Sequence, residues 1–219
     1  MRTVDQLLFG YRDGHELIAG SLELNGAQLQ EVMPHTDASL DGVREHQLVG
    51  VWIASVERYL LCRIWPAPER RRPGAVWAHA LLISGDDLRA GQLGGLRNLL
   101  RRPAEATDAY ARKLAWPPDA GPIRVTPRLG RALAEAVTAR DRRPHIILWR
   151  TPEEAQDALV ALLNLTPASS RAQLSFRTRE RVRAGASSPY RIQVAASLRG
   201  STAQDAQLVI DAREPAREV

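Results

Sequence analysis

Cysteine and long apolar runs are almost absent from this sequence. One cysteine, Cys62, stands among 219 residues, which excludes an intramolecular disulfide and a multi-cysteine metal site. No apolar run approaches the roughly 20 residues that are needed to cross a bilayer, and the N-terminus lacks the pattern of a signal peptide. We therefore expect a cytoplasmic protein without a membrane span.

Lysine is also nearly missing, because Lys113 is the one lysine among the 30 basic residues. The net charge of +5 is unevenly spread. Residues 1–60 carry four arginines and nine acidic residues, whereas residues 61–219 carry 26 basic and 16 acidic residues. A GC-rich genome would account for the preference for arginine over lysine, and the alternative is that arginine side chains bind carboxylates or phosphates. The uneven charge would steer an acidic partner or a nucleic acid to the C-terminal part.

The N-terminal region has the pattern of a β-hairpin. Asp13-Gly14 is typical of a two-residue turn in which both residues need positive φ. This turn predicts that Gly10 faces Leu17 and that Leu8 faces Ala19. Both faces of the hairpin are apolar away from the turn, so we expect it to lie in a sheet that is covered on both sides.

Apolar alternation predicts further strands, and a 3.6-residue period together with capping residues predicts helices between them. The expected strands are 48–54, 58–65, 76–83, 145–149, 172–177, 190–196 and 207–211. The expected helical segments are 27–32, a segment marked by Leu93, Leu96 and Leu100, 104–115, and two helices that begin at Pro127 and Pro152. A polar loop is expected around 34–42.

This order of elements predicts an α+β fold rather than a regular βαβ alternation. We expect a mixed, largely antiparallel sheet with an N-terminal hairpin, a central helical segment and C-terminal strands. The expected domain is a single unit over residues 3–212. A subdivision into 3–90 and 91–212 stays open, and residues 213–219 are expected to form a tail.

Two histidines, His15 and His79, lie in strand-like segments among apolar neighbours. A buried neutral imidazole needs partners for both nitrogens, so the simplest role of each is structural. The alternative is an enzyme in which both line one cleft as acid–base groups, with Arg12 nearby to hold an oxyanion or a phosphate. His15-Glu16 begins like a zinc-protease motif, but Ala19 stands where the second histidine is needed. We expect no metal and no cofactor, and the lack of a complete catalytic motif argues against an enzyme.

Arginine recurs at every second position near the C-terminal strands, namely at Arg177, Arg179, Arg181 and Arg183. In an extended segment all four side chains project to one side. Such a row can follow a phosphate backbone or contact an acidic protein surface. The alternative is a solvated edge strand whose charges prevent pairing with other chains.

Three segments together resemble the N-terminal domain of the bacterial GTPase-associated protein family. They are QLLFGYRDGHELIAGS at 6–21, RPGAVWAHALLI at 72–83 and LSFRTR at 174–179, and the resemblance extends over residues 5–210. The first segment is the most specific of the three.

The resemblance implies a non-enzymatic adaptor or regulatory module of a bacterial conflict or antiphage defence system. Its expected partner is a protein, either a GTPase or an effector module that is encoded nearby. Two other functions stay open on the residues themselves. One is nucleic-acid or phosphate binding through the arginine row, and the other is an enzyme that uses His15 and His79.

Overall fold

A computed structural model describes most of the chain. The described residues are 2–37, 46–69, 72–103, 107–118, 125–138, 145–149, 152–183, 189–199 and 208–211. Within these ranges the protein combines helices with one mixed sheet, so the predicted α+β class is confirmed. The predicted tail at 213–219 lies outside the described residues.

The sheet is built from ten strands in the described part of the chain. They are β1 (Thr3–Tyr11), β2 (His15–Gly20), β3 (Gln47–Ile53), β4 (Arg58–Pro66), β5 (Val76–Ser84), β6 (Leu114–Ala115), β7 (His145–Leu148), β8 (Phe176–Arg183), β9 (Ile192–Arg199) and β10 (Leu208–Asp211). The α-helices are α1 (Gly26–Thr36), α2 (Gly85–Ala90), α3 (Pro127–Thr138) and α4 (Pro152–Leu165). Short 3-10 helices span Gly94–Leu99, Asp108–Ala111 and Ala168–Gln173.

The strands follow the order β10-β7-β9-β8-β3-β4-β5-β1-β2, and β6 pairs with β1 beside this path. The half from β3 to β2 is antiparallel. Strands β8, β9, β7 and β10 form a parallel half. The two halves meet where β3 pairs with β8 through two residue pairs, Val49 with Arg177 and Gly50 with Phe176.

Helices cover both faces of the sheet. Helix α1 packs on one face, which we call the α1 face, where Phe9, Val49 and Cys62 are buried beneath it. Helices α2, α3 and α4 cover the opposite face, which we call the helical face, over a larger apolar core. Because successive strand residues point to opposite faces, each strand contributes alternate residues to the two cores.

The helix ends follow from identifiable capping groups. The side chain of Asn25 accepts a hydrogen bond from the Gln28 amide, and the Gln28 side chain accepts one from the Asn25 amide, which is a capping box. Helix α1 then continues through Pro34 to Thr36, so the predicted loop start at Pro34 is wrong. The longest helix, α4, has 14 residues, and none in the described ranges has the length and apolarity of a membrane span.

Three local predictions are wrong in the central and C-terminal parts. The segment around Leu96 forms a 3-10 helix, and 104–115 holds only a four-residue 3-10 helix followed by β6 among its described residues. The expected strand 172–177 begins instead at Phe176, after a 3-10 helix. A 3-10 helix has three residues per turn, so the 3.6-residue pattern identifies the apolar positions but not this geometry.

The hairpin of β1 and β2 differs from the predicted register near its turn. Tyr11 pairs with His15 and Phe9 pairs with Leu17, which leaves a three-residue turn. An irregularity between Leu8 and Phe9 then restores the predicted pairing of Leu8 with Ala19. The extra residue of this β-bulge lies in β2, the last strand in the sheet order, which is a usual position for a bulge.

Candidate functional site

The two predicted histidines lie on opposite faces of the sheet. His79 pairs with Leu8 in the ladder between β5 and β1 and faces the helical side. His15 pairs with Tyr11, and its ring lies 5.8 Å from that of Phe9 on the α1 face. The sheet therefore separates the two imidazoles, and they do not share a cleft. Arg12 lies in the turn with a side chain that is 62% exposed, 3.7 Å from Glu16.

His79 belongs to a continuous chain of hydrogen bonds beneath the 3-10 helix at 108–111. The Arg101 amide donates to Nδ1 of His79 at 3.1 Å, so Nε2 carries the proton and donates to Oε1 of Gln6 at 2.9 Å. The Gln6 amide nitrogen donates in turn to the carbonyls of Ala109 and Arg112. Both imidazole nitrogens are thus occupied, and the residue holds the chain after Leu100 against the sheet.

Burial lowers the pKa of His79 to about 4. Because this value lies below that of an unfolded histidine, protonation favours the unfolded state. We expect the free energy of unfolding to be highest above about pH 6.5 and to fall as the pH decreases from about 6.5 to 4, by about 3 kcal/mol from this group. Denaturant titrations at several pH values measure this loss. In H79Q the loss over this interval should be smaller by that amount, and equal losses in both proteins would contradict the assignment.

A pocket of about 340 Å³ opens beside His79. Its floor is formed by Gln6 and His79, whose polar atoms are already paired. The walls are largely apolar, and two arginines stand beside them. The lining residues other than His79 and Gln6 are Leu99, Arg101, Arg102, Ala109, Tyr110 and Leu114. This pocket lies within the helical face and has no contribution from His15.

On the α1 face, His15 lies beside the end of α1. The Thr36 hydroxyl donates to the carbonyl of Met33, so it accepts from Nε2 of His15 at 2.9 Å. Nδ1 of His15 has no hydrogen-bond partner among the described residues. Burial lowers the pKa of His15, and the nearby Asp37 carboxylate partly opposes this shift. The ring also contacts Tyr11 at 5.3 Å, so His15 packs into the surrounding structure.

Arg177 points into the same region and is buried, with 3% of its surface exposed. Its guanidinium donates to Oε1 of Gln47, to the carbonyl of Asp37 and, at 3.4 Å, to the hydroxyl of Tyr190. The Tyr190 hydroxyl also lies 2.8 Å from Nδ1 of His35. These contacts join the end of α1 to β3 and β8, the strands at the junction of the two sheet halves.

Arg177, the first residue of the arginine row, is buried and not exposed. Strand β8 also pairs with β9 along its length and with β3 at its start, so it lies inside the sheet order and not at an edge. The side chains of Arg179, Arg181 and Arg183 lie outside the described part of the structure. A binding role for those three stays a prediction.

A second concave surface lies at the start of α2. It is a groove of about 480 Å³ between the turn after β3 and the end of β5. Trp52 is half-buried at its base, and exposed charges surround it. Arg89 forms an ion pair with Asp86 at 2.5 Å, with side chains that are 61% and 92% exposed. Aromatic and arginine side chains are the types that contribute most at protein interfaces.

Some important residues were missed by sequence reasoning. Gln6 is 2% exposed in the middle of an apolar strand, and a single polar residue in such a run is a signal for a buried hydrogen-bond network. Tyr110 and Arg101 carry no comparable signal, since they reach the pocket only through the packing of the segment after Leu100. In the described ranges no three His, Cys, Asp or Glu side chains gather as metal ligands would.

The described part of the chain is a mixed α+β fold in which His15 and His79 both have hydrogen-bond partners. The two concave surfaces described above lie on or beside the antiparallel half of the sheet. Residues 3–101 match the family described as GTPase-associated protein 1, N-terminal domain type 1. The N-terminal resemblance is therefore confirmed for that region, which contains two of the three segments that indicated it. No curated protein and no solved structure matches the chain.

Proposed function

We propose that the protein is a cytoplasmic, non-enzymatic adaptor or regulatory module that binds a GTPase encoded near its own gene. We further propose that this pair acts in a bacterial conflict or antiphage defence system. The observation that carries the proposal is the family match over residues 3–101, because that family is described as GTPase-associated.

The hydrogen bonds of the two histidines support binding rather than catalysis. A general base needs a free lone pair within reach of its substrate. Both nitrogens of His79 are committed to Arg101 and Gln6. Nε2 of His15 is held by Thr36 on the other face of the sheet, and its unpaired Nδ1 is buried, out of reach of a substrate. The arrangement supports structural roles for both residues.

We place the GTPase contact at the groove near α2. Its lining residues all lie between Trp52 and Arg89, inside the matched region. The groove offers a half-buried indole beside exposed Arg89 and Asp86. An aromatic anchor enclosed by charged groups has the composition of the centre and rim of a protein–protein interface.

Charge reversal in this groove tests the proposal. In R89E the new carboxylate stands beside Asp86, so the exposed ion pair at the groove is replaced by two negative charges. We expect this variant to bind the neighbouring GTPase at least about tenfold more weakly, because reversing a charge at an interface replaces attraction by repulsion. Calorimetric titration of the purified chain with that GTPase, loaded with GDP or with a non-hydrolysable GTP analogue, measures the effect.

A matched control comes from Arg131, which is exposed on α3 outside the matched region. R131E changes the net charge equally and should bind the GTPase as the unchanged protein does. Equal losses in the two variants would indicate a general charge effect and would reject the groove. No binding in either nucleotide state would reject the GTPase proposal itself.

A further inference from the structure

The pocket beside His79 has the features of a small-anion site. We propose that it binds a small aromatic carboxylate or phosphate, with the oxyanion at Arg101 and the ring between the apolar walls. This inference does not depend on the GTPase proposal, because the groove near α2 and this pocket share no lining residue.

The cationic part of the pocket is Arg101. Its backbone amide donates to His79, which fixes the start of the side chain at the edge of the pocket. The neighbouring Arg102 is already paired with Glu69 at 2.6 Å. Arg101 has no hydrogen bond or ion pair from its side chain among the described residues. Burial lowers the pKa of His79 and raises the pKa of Tyr110, and the nearby charge of Arg101 acts to lower both. An unpaired guanidinium beside a pocket favours an oxyanion.

The other residues that line the pocket determine which uncharged group of a ligand fits beside the oxyanion. Leu99, Leu114 and the ring of Tyr110 provide apolar and aromatic walls. The polar atoms of the floor are occupied, because Gln6 and His79 bond to each other. A ligand therefore gains little from hydrogen bonds at the floor and more from a flat apolar group. The volume of about 340 Å³ is at the lower end of ordinary ligand sites and suits a compound with one ring.

The Tyr110 hydroxyl supplies the second donor for the oxyanion. The residue is 9% exposed and its ring meets that of His79 edge to face at 4.9 Å, so packing holds the phenol in place. In the described structure the hydroxyl has no hydrogen-bond partner. A guanidinium and a phenol together provide the donors that a carboxylate or a phosphate requires.

NMR titration with phenyl phosphate and with benzoate tests the proposal, and benzyl alcohol serves as the neutral analogue. We expect saturable binding of at least one anion and at least about tenfold weaker binding of the alcohol, since the charged hydrogen bond to Arg101 is lost. R101Q should weaken anion binding by at least about tenfold and Y110F by about threefold. R131Q removes an equal charge from an exposed position on α3 and should leave binding unchanged.

Several outcomes would overturn the proposal. One is the absence of saturable binding by both anions, and another is equal affinity for benzoate and benzyl alcohol. Equal loss in R101Q and R131Q would show a long-range charge effect rather than a site. Thermal unfolding of each variant is measured alongside, and Y110F, which removes one oxygen atom and keeps the packing ring, remains a valid test if R101Q proves unstable.

Discussion

Replacing Arg171 by methionine is expected to lower the free energy of unfolding by about 3–5 kcal/mol, because four buried or partly buried carbonyls lose their donor together. Arg171 is 8% exposed. Its guanidinium donates to the carbonyls of Asn164 and Thr166 at the end of α4 and to those of Leu88 and Arg89 in α2. One side chain thus satisfies the ends of two helices.

The size of this effect follows from the chemistry of helix ends. The last carbonyls of a helix have no partner within the helix, and a cation is favoured near them by the helix dipole. Methionine has a similar length but supplies no donor. Lysine keeps the charge, yet its single ammonium group cannot reach carbonyls on both helices in the planar arrangement of a guanidinium.

Equilibrium unfolding in urea measures the loss, with R171K and R131M as comparisons. We expect R171K to be intermediate. R131M changes an exposed arginine on α3 and should differ from the unchanged protein by less than about 0.5 kcal/mol. A value for R171M close to that of R131M would show that water or a neighbouring group replaces the guanidinium.

Replacing Gly50 by alanine is expected to lower the free energy of unfolding by about 2–4 kcal/mol through overpacking and disturbance of a buried hydrogen bond. A Cβ atom at this position would overlap the ring of Phe176 and lie 2.5 Å from the hydroxyl of Tyr59. That hydroxyl donates to the carbonyl of Leu174 at 2.8 Å. All three neighbours are fully or nearly fully buried, so none can move away freely.

A matched control for G50A is G26A at the first residue of α1, where a new Cβ meets no atom within 4 Å. We expect G26A to be neutral or slightly stabilising, since alanine is the better helix former. Y59F removes only the hydroxyl and separates the hydrogen bond from the steric overlap. Equal stability of G50A and G26A in urea would show that β3 shifts to accept the methyl group.

Short-range patterns account for much of the predicted fold. The alternation in 76–83 and the predicted helix start at Pro127 correspond to β5 and α3 as the structure has them. Each of these patterns depends only on residues that are close together in the chain, so it can be recognised from the sequence alone. The bulge opposite Leu8 and the 3-10 helices depend on neighbours that are distant in the chain, and local patterns predicted them wrongly or not at all.

For the candidate sites, too, local patterns predicted the residue types, whereas contacts between distant parts of the chain were not predicted. The need of His79 for partners at both nitrogens followed from the cost of burying an imidazole. The identity of those partners, Gln6 and Arg101, depends on how the segment after Leu100 returns to the sheet. The recurrence of arginine at every second position predicted that Arg177 projects to the same side as Arg179, Arg181 and Arg183. Its burial results from the pairing of β8 with β3, which no periodic pattern in either strand specifies.

Only two residue pairs join β3 to β8 among the described residues, and this short pairing affects how the protein unfolds locally. The matched region ends at residue 101, and the parallel strands are attached to the antiparallel ones by few backbone hydrogen bonds. Such a seam is a natural boundary between cooperative units. We therefore expect partial unfolding to expose the amide protons of β7 and β9 while β4 and β5 stay protected. Amide hydrogen exchange followed by NMR should then find the slowest-exchanging protons in the antiparallel half.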